Sequence, residues 1–193
     1  MNRNFGPKDN GTTGRARFFA RFLRDKKGST ALEFALLALP FALLVFAILE
    51  SCISFAGQEV MANVTDDIAR QLRTGQIKQV DATPEKLAPV ICDRMKIIVS
   101  QDCIASLVVD LHEYPTFADA ATASFTITNK KLVVSQGTNS QDFSGKAEAR
   151  NVLRVFYKWP VMTDFLAASM ANLENGKTLH FTSVTWQSEP YND

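Results

Sequence analysis

Several side chains in this sequence have the type and placement to do chemistry. Glu33 stands near the start of a run that is otherwise apolar from Ala31 to Leu49. A carboxylate in a bilayer interior is disfavoured by a few kcal/mol and marks a functional position unless it reaches the headgroups. Cys92 and Cys103, with ten residues between them, suit a disulfide if they face an oxidising compartment. In a cytosolic domain they would be two reduced, buried thiols. Cys52, where the apolar run ends, reads as an unpaired small residue. His112 and His180 each fall in a strand-like segment with no acidic or cysteine partner at ligand spacing, so structural or surface roles are expected. Asp110 and Glu113 flank a strand end, which is too little to assign acid–base work. The cysteine spacing fits no zinc pattern, and the chain carries no phosphate-binding glycine loop, Gly-x-Ser-x-Gly or His-Glu-x-x-His. Trp159 and Trp186 read as core aromatics. No enzyme, metal or cofactor is expected.

Glu33 is positioned by the apolar run itself. Ala31 to Leu49 is 19 residues, about 28 Å as a helix and close to the hydrocarbon thickness of a bilayer. From Phe34 to Leu49 it has no charged residue and only Pro40 interrupts it; a proline is tolerated in a membrane helix, usually with a kink. Residues 1–28 carry eight basic residues against two acidic, a net +6, and residues 29–193 carry about −5. Basic charge directly before an apolar span predicts a cytoplasmic N-terminus and an exported remainder rather than nucleic-acid binding. Rich in Gly, Asn and Thr, residues 1–28 are expected to be disordered. A removable secretory signal is an alternative, with Ser54-Phe55-Ala56 fitting its cleavage site, although the apolar core is longer than usual. A lipoprotein signal ending at Cys52 fits less well, because Glu50 stands where a small residue is required.

After the run the period changes. Phe55, Met61, Val64, Ile68 and Leu72 recur at mostly three- and four-residue spacing, predicting an amphipathic continuation of the helix that stops near Gly75. Thr83-Pro84 predicts the start of a second helix with an apolar face of Leu87, Val90, Ile91, Met95 and Ile98. Period-two alternation then predicts half-buried antiparallel strands. One has Leu107, Val109 and Leu111 inward and Val108, Asp110 and His112 outward. Others centre on Ala123 to Ile127, on Leu153 to Trp159 with Arg154, Phe156 and Lys158 outward, and on Leu179 to Trp186. Gln136 to Gly145 reads as a loop, and Met162 to Leu173 as a connection holding a short helix. The expected fold class is α+β: a basic leader over 1–28, a transmembrane helix over 29–50, and an extracytoplasmic domain with an antiparallel sheet over 51–193.

The local order Lys26-Lys27-Gly28-Ser29, then Glu33 at the fifth position after the glycine, then apolar residues, has the layout of a type IV prepilin. The segment KKGSTALEFALLALPFALLVFAILE resembles the N-terminus of TadE-like proteins, pseudopilins of the tight-adherence (Tad/Flp) pilus. Further likeness lies in ARQLRTGQI, in the cysteine-bearing VICDRMKIIVSQDCIASLVVDLHEYPTFADA, and in VLRVFYKWPVMTDFL and SVTWQSEPY. The resemblance implies a prepilin-type processing site between Gly28 and Ser29, hence prepilin peptidase as a partner. It also implies an inner-membrane location and association with other Tad pilins and assembly-platform proteins. Glu33 would then meet an amine, either that of Ser29 four residues back on its own helix or that of a neighbouring subunit. The competing functions are a minor pilin-like component that assists pilus assembly, a single-pass envelope-anchored binding module with no filament role, and a secreted hydrolase behind a removable signal.

Overall fold

A computed structural model of the chain describes residues 29–99 and 102–190. The basic leader, including Gly28, therefore lies outside the described residues. The chain divides into two compact units between Phe46 and Ala47. The described part of the first is helical throughout and exposes apolar side chains on all sides, among them Leu32, Phe34, Leu37, Phe41 and Phe46. Its helix, α1, spans Ser29–Arg73 and continues unbroken through Pro40.

The second unit, here called the head, begins within α1. Helix α1 stops at Arg73, where Thr74 N bonds the Arg70 carbonyl and Gly75 takes φ 69°, a left-handed conformation open to glycine at little cost. Helix α2 spans Pro84–Met95. Proline suits its first position because that N–H would have no helical partner. Thr83 caps the helix through its carbonyl, which accepts from Lys86 N and Leu87 N at 3.0 and 2.9 Å, while its side chain makes no capping bond. A one-turn helix α3, Cys103–Ser106, leads into β1, Leu107–Tyr114. Then follow α4 (Phe117–Ala120), β2 (Ser124–Thr128), β3 (Lys131–Ser135), β4 (Gln141–Asp142), β5 (Arg150–Pro160), α5 (Asp164–Met170) and β6 (Lys177–Gln187).

Four strands form an antiparallel sheet in the order β4-β1-β5-β6, and β2–β3 is a separate hairpin. Asn129 and Lys130 both have positive φ, 52° and 60°, as a two-residue turn matched to strand twist requires. One sheet face packs Leu107, Val109, Leu111, Leu153, Val155, Tyr157 and Trp159 against Met61, Ile68 and Leu72 of α1 and Leu87, Ile91 and Met95 of α2. On the other, Phe156 and Phe181 meet Phe125 of the hairpin with ring centroids 4.7–5.2 Å apart.

Mixed helix and antiparallel sheet after a long apolar helix is the architecture the alternation predicts. Individual positions differ. Phe55 is 71% exposed and Val90 40% exposed, so neither belongs to the inner stripe. On α1 Met61, Ile68 and Leu72 are buried as expected, while Ser54 and Gly57 take the place of Phe55, and Thr65 that of the half-buried Val64; on α2, Leu87, Ile91 and Met95 fill the inner face and leave Val90 at its margin. Arg154 and Phe156, expected outward, are both buried because the hairpin covers that face. Lys131 to Ser135 is a strand, and Gln141–Asp142 inside the expected loop pairs with β1 at His112 and Glu113.

Candidate functional site

The residues around the start of the head form the most developed polar site on α1. Glu50, directly after the apolar run, is buried, and its carboxylate accepts from Met162 N, from Thr163 N at 3.4 Å and from Thr163 Oγ1 at 2.7 Å. It thereby holds the backbone leading into α5, whose N-cap residue Thr163 makes no side-chain capping bond of its own. One turn on, Ser54 Oγ lies 2.9 Å from His180 Nε2 in a buried contact. His180 stacks on Trp159 with centroids 4.9 Å apart, and burial pushes its pKa down to about 4, so the ring is neutral at ordinary pH. Gly57 gives Trp159 its space: a Cβ there would come within 2.8 Å of Cη2 and closer still to Cζ3. Gln58 Nε2 then donates to the Phe181 carbonyl at 2.6 Å. An apolar-residue search passes over Glu50, Ser54, Gly57 and Gln58. The signal that finds them is their three- and four-residue spacing, which continues the Met61–Thr65–Ile68 stripe backwards with small and polar residues.

On the far face of the sheet, Arg154 Nε donates to Asp110 Oδ2 at 2.7 Å, and its terminal nitrogens donate to the carbonyls of Ser124 and Ser135 at 3.0 and 2.9 Å. One guanidinium thus ties β5, β1 and both strands of the hairpin. His112 Nε2 lies 3.2 Å from Asp110 Oδ1, and its Nδ1 3.2 Å from the Gln141 carbonyl. His112 therefore does have an acidic partner: residues i and i+2 of a strand share a face, and Asp110 is that residue. Burial raises the Asp110 pKa, but the bonds from His112 and Arg154 outweigh it and hold the carboxyl below its ordinary value. The Asp110 hydrogen bond raises that of His112 against the opposing effect of burial. Glu113 points to the opposite face and accepts from Ser144 N at 3.2 Å and from Ser144 Oγ, so the two carboxylates do not meet. Among the described residues no group of His, Cys, Asp and Glu could hold a metal ion. The arrangement holds elements together, and every ionisable group in it is occupied by a structural partner.

Cys92 and Cys103 are bonded to each other, linking the last turns of α2 to α3 directly before β1, while Cys52 is free and exposed. Thiol labelling under denaturing, non-reducing conditions is expected to modify Cys52 alone; full labelling of all three would contradict the link. The closed loop spans 11 residues, so reduction is expected to lower head stability by roughly 3 kcal/mol.

Of the N-terminal positions, Ser29 begins α1 and Glu33 lies on an exposed face of its second turn, whereas Gly28 is not described. Among the described residues α1 is one helix long and apolar enough to cross a membrane. Residues 28–70 match the family model described as TadE-like protein, the family that the N-terminal segment resembles. The match covers the apolar segment and most of the amphipathic continuation of α1, and ends before the sheet. It points to a component associated with Tad pili. No curated protein and no solved structure matches the chain.

Proposed function

We propose that this chain is a minor pseudopilin of a Tad/Flp pilus, anchored in the inner membrane by the apolar part of α1, with residues 1–28 cytoplasmic and the head exported. The observation that carries it is the coincidence of the TadE-like match over residues 28–70 with a change in how α1 is used. Before Glu50 its apolar side chains face outward on all sides; after Glu50 it buries a stripe against a sheet. An apolar surface of that extent calls for lipid or for other helices.

In this reading a peptidase cuts between Gly28 and Ser29, leaving the apolar helix on the mature chain with a new positive amine at its start. Glu33 is the carboxylate that meets such an amine on a neighbouring subunit, compensating two charges that neither could bring into a low-dielectric layer alone. The helix is then both anchor and assembly surface, and the disulfide suits an oxidising exterior. The partners are other Tad pilins and assembly-platform proteins. No catalytic role is proposed for the head.

A reporter enzyme that works only in the periplasm, fused after Asp193, tests the topology. The fusion is expected to be active; a stable but inactive fusion would reverse the orientation. An exported head that never associates with any pilus component would support the single-pass binding module instead.

A further inference from the structure

Four of the head's lysines line one cavity. Lys130, Lys131, Lys158 and Lys177 surround an open space of about 390 Å³ together with Ala105, Leu132, Leu173 and Asn175, and Glu174 is the single acidic residue there. The lining carries a net +3, whereas the rest of the chain after Glu50 is acidic. Its walls are fixed. Glu174 N donates to the Lys130 carbonyl at 3.0 Å, and Leu173 N to that of Lys177 at 2.9 Å. Lys177 Nζ bonds Ser106 Oγ at 3.1 Å. The exposed Lys131–Glu174 pair, at 3.6 Å, neutralises little.

The position of this cavity along α1 gives it meaning. Lys177 lies across from Pro160 and Lys158 across from Leu179 in the β5–β6 ladder, next to Trp159 and His180, which pack on Gly57 and Ser54. Met162 and Thr163 bond Glu50. The other end of β6 lies at Arg73, whose carbonyl accepts from Glu189 N. From Glu50 to Arg73 is about 34 Å of helix, so the lysines lie at the end of the head where the apolar run stops. Two exposed apolar side chains are found at that end, Met162 at 70% and Ile104, beside the cavity residue Ala105, at 58%. Lysines whose stems can lie along apolar surface, next to exposed apolar residues, suit a membrane interface.

We propose that this cavity binds the phosphate of an anionic phospholipid headgroup and seats the head on the bilayer surface. The proposal rests on α1 being a membrane helix. Polyvalent lysine attraction to an anionic leaflet falls off within a Debye length, so only groups at this end of the head can use it.

The test uses the full chain in nanodiscs of pure phosphatidylcholine or of phosphatidylcholine with phosphatidylglycerol, with amine labelling of each lysine read by mass spectrometry. Lys78, Lys86 and Lys146 serve as references, since they follow α1 or, like the neighbouring Gly145, lie close to Gln79 beyond its end. Phosphatidylglycerol is expected to slow labelling of the four cavity lysines roughly threefold or more, leave the references unchanged, and lose its effect in high salt. Equal cavity rates in both discs, or equal slowing at the references, would overturn the proposal. Protection by soluble glycerol phosphate in phosphatidylcholine discs would assign the site to a free anion, and protection by polyglutamate to an acidic polypeptide; either overturns the lipid assignment. Co-elution with the discs reports the anchor separately. A chain that enters neither disc overturns the membrane reading itself, and this proposal with it.

Discussion

Replacing Arg154 with methionine is expected to destabilise the head by about 3–5 kcal/mol, the range for removing one partner of a buried ion pair. The guanidinium is 3% exposed and satisfies Asp110, Ser124 O and Ser135 O at once. Methionine fills similar volume but leaves the carboxylate with His112 alone and frees two hairpin carbonyls. The loss should therefore appear first as release of β2–β3, exposing Phe125, Phe156 and Phe181. Denaturant unfolding of the full chain in detergent, followed by tryptophan fluorescence, measures it: both tryptophans, Trp159 and Trp186, are buried in the head. A double variant, Asp110→Asn with Arg154→Met, removes the stranded charge and should recover part of the stability. An unchanged denaturation midpoint in the single variant would show that the ion pair does not stabilise the head.

Gly57→Val is expected to have the second large effect. Overpacking a filled site costs about 1–3 kcal/mol and occasionally more. Here the obstacle is the Trp159 ring, held by its stack on His180 and an edge contact to Tyr157 with centroids 6.1 Å apart. His180 cannot yield without breaking its contact to Ser54, and Tyr157 is fully buried. Valine should push α1 off the end of the sheet and shift Trp159 emission to the red before any denaturant is added. Glycine is a poor helix former, worse than alanine by about 1 kcal/mol, so a site indifferent to packing would be stabilised by Gly57→Ala. Stabilisation by alanine together with tolerance of valine would refute the close approach.

How much of this was legible in the sequence varies with the kind of signal. The long apolar helix, its stop near Gly75, the second helix from Pro84 and the strands around Val109, Val155 and Val184 follow from periodicity, which reports burial on one face. That method fails where a second layer arrives from a distant part of the chain. Arg154 and Phe156 read as solvent-facing because nothing local announces that the hairpin folds over them, and the β3 half of that hairpin, Lys131 to Ser135, places Leu132, Val133 and Val134 side by side without the alternation that marks β2. The polar start of the α1 stripe was invisible for a related reason: Glu50, Ser54 and Gly57 are buried by what they touch, the 162–163 backbone, a histidine and a tryptophan, rather than by their own apolarity. Asp110 and His112 were readable in principle, since i and i+2 of a strand always share a face.

The proposal that Glu33 is the charge that joins subunits is most directly tested with Glu33→Gln in the full chain, expressed beside the other components of the pilus system it is proposed to join. Glutamine keeps the size and removes the charge, so membrane insertion should be at least as favourable and the head should fold, with Cys92 and Cys103 still bonded. The predicted result is a variant that accumulates in the membrane and carries Ser29 as its N-terminus, yet fails to co-purify with other pilus components. Normal co-purification and normal piliation would contradict it, and would leave Glu33 as a carboxylate that the helix merely tolerates.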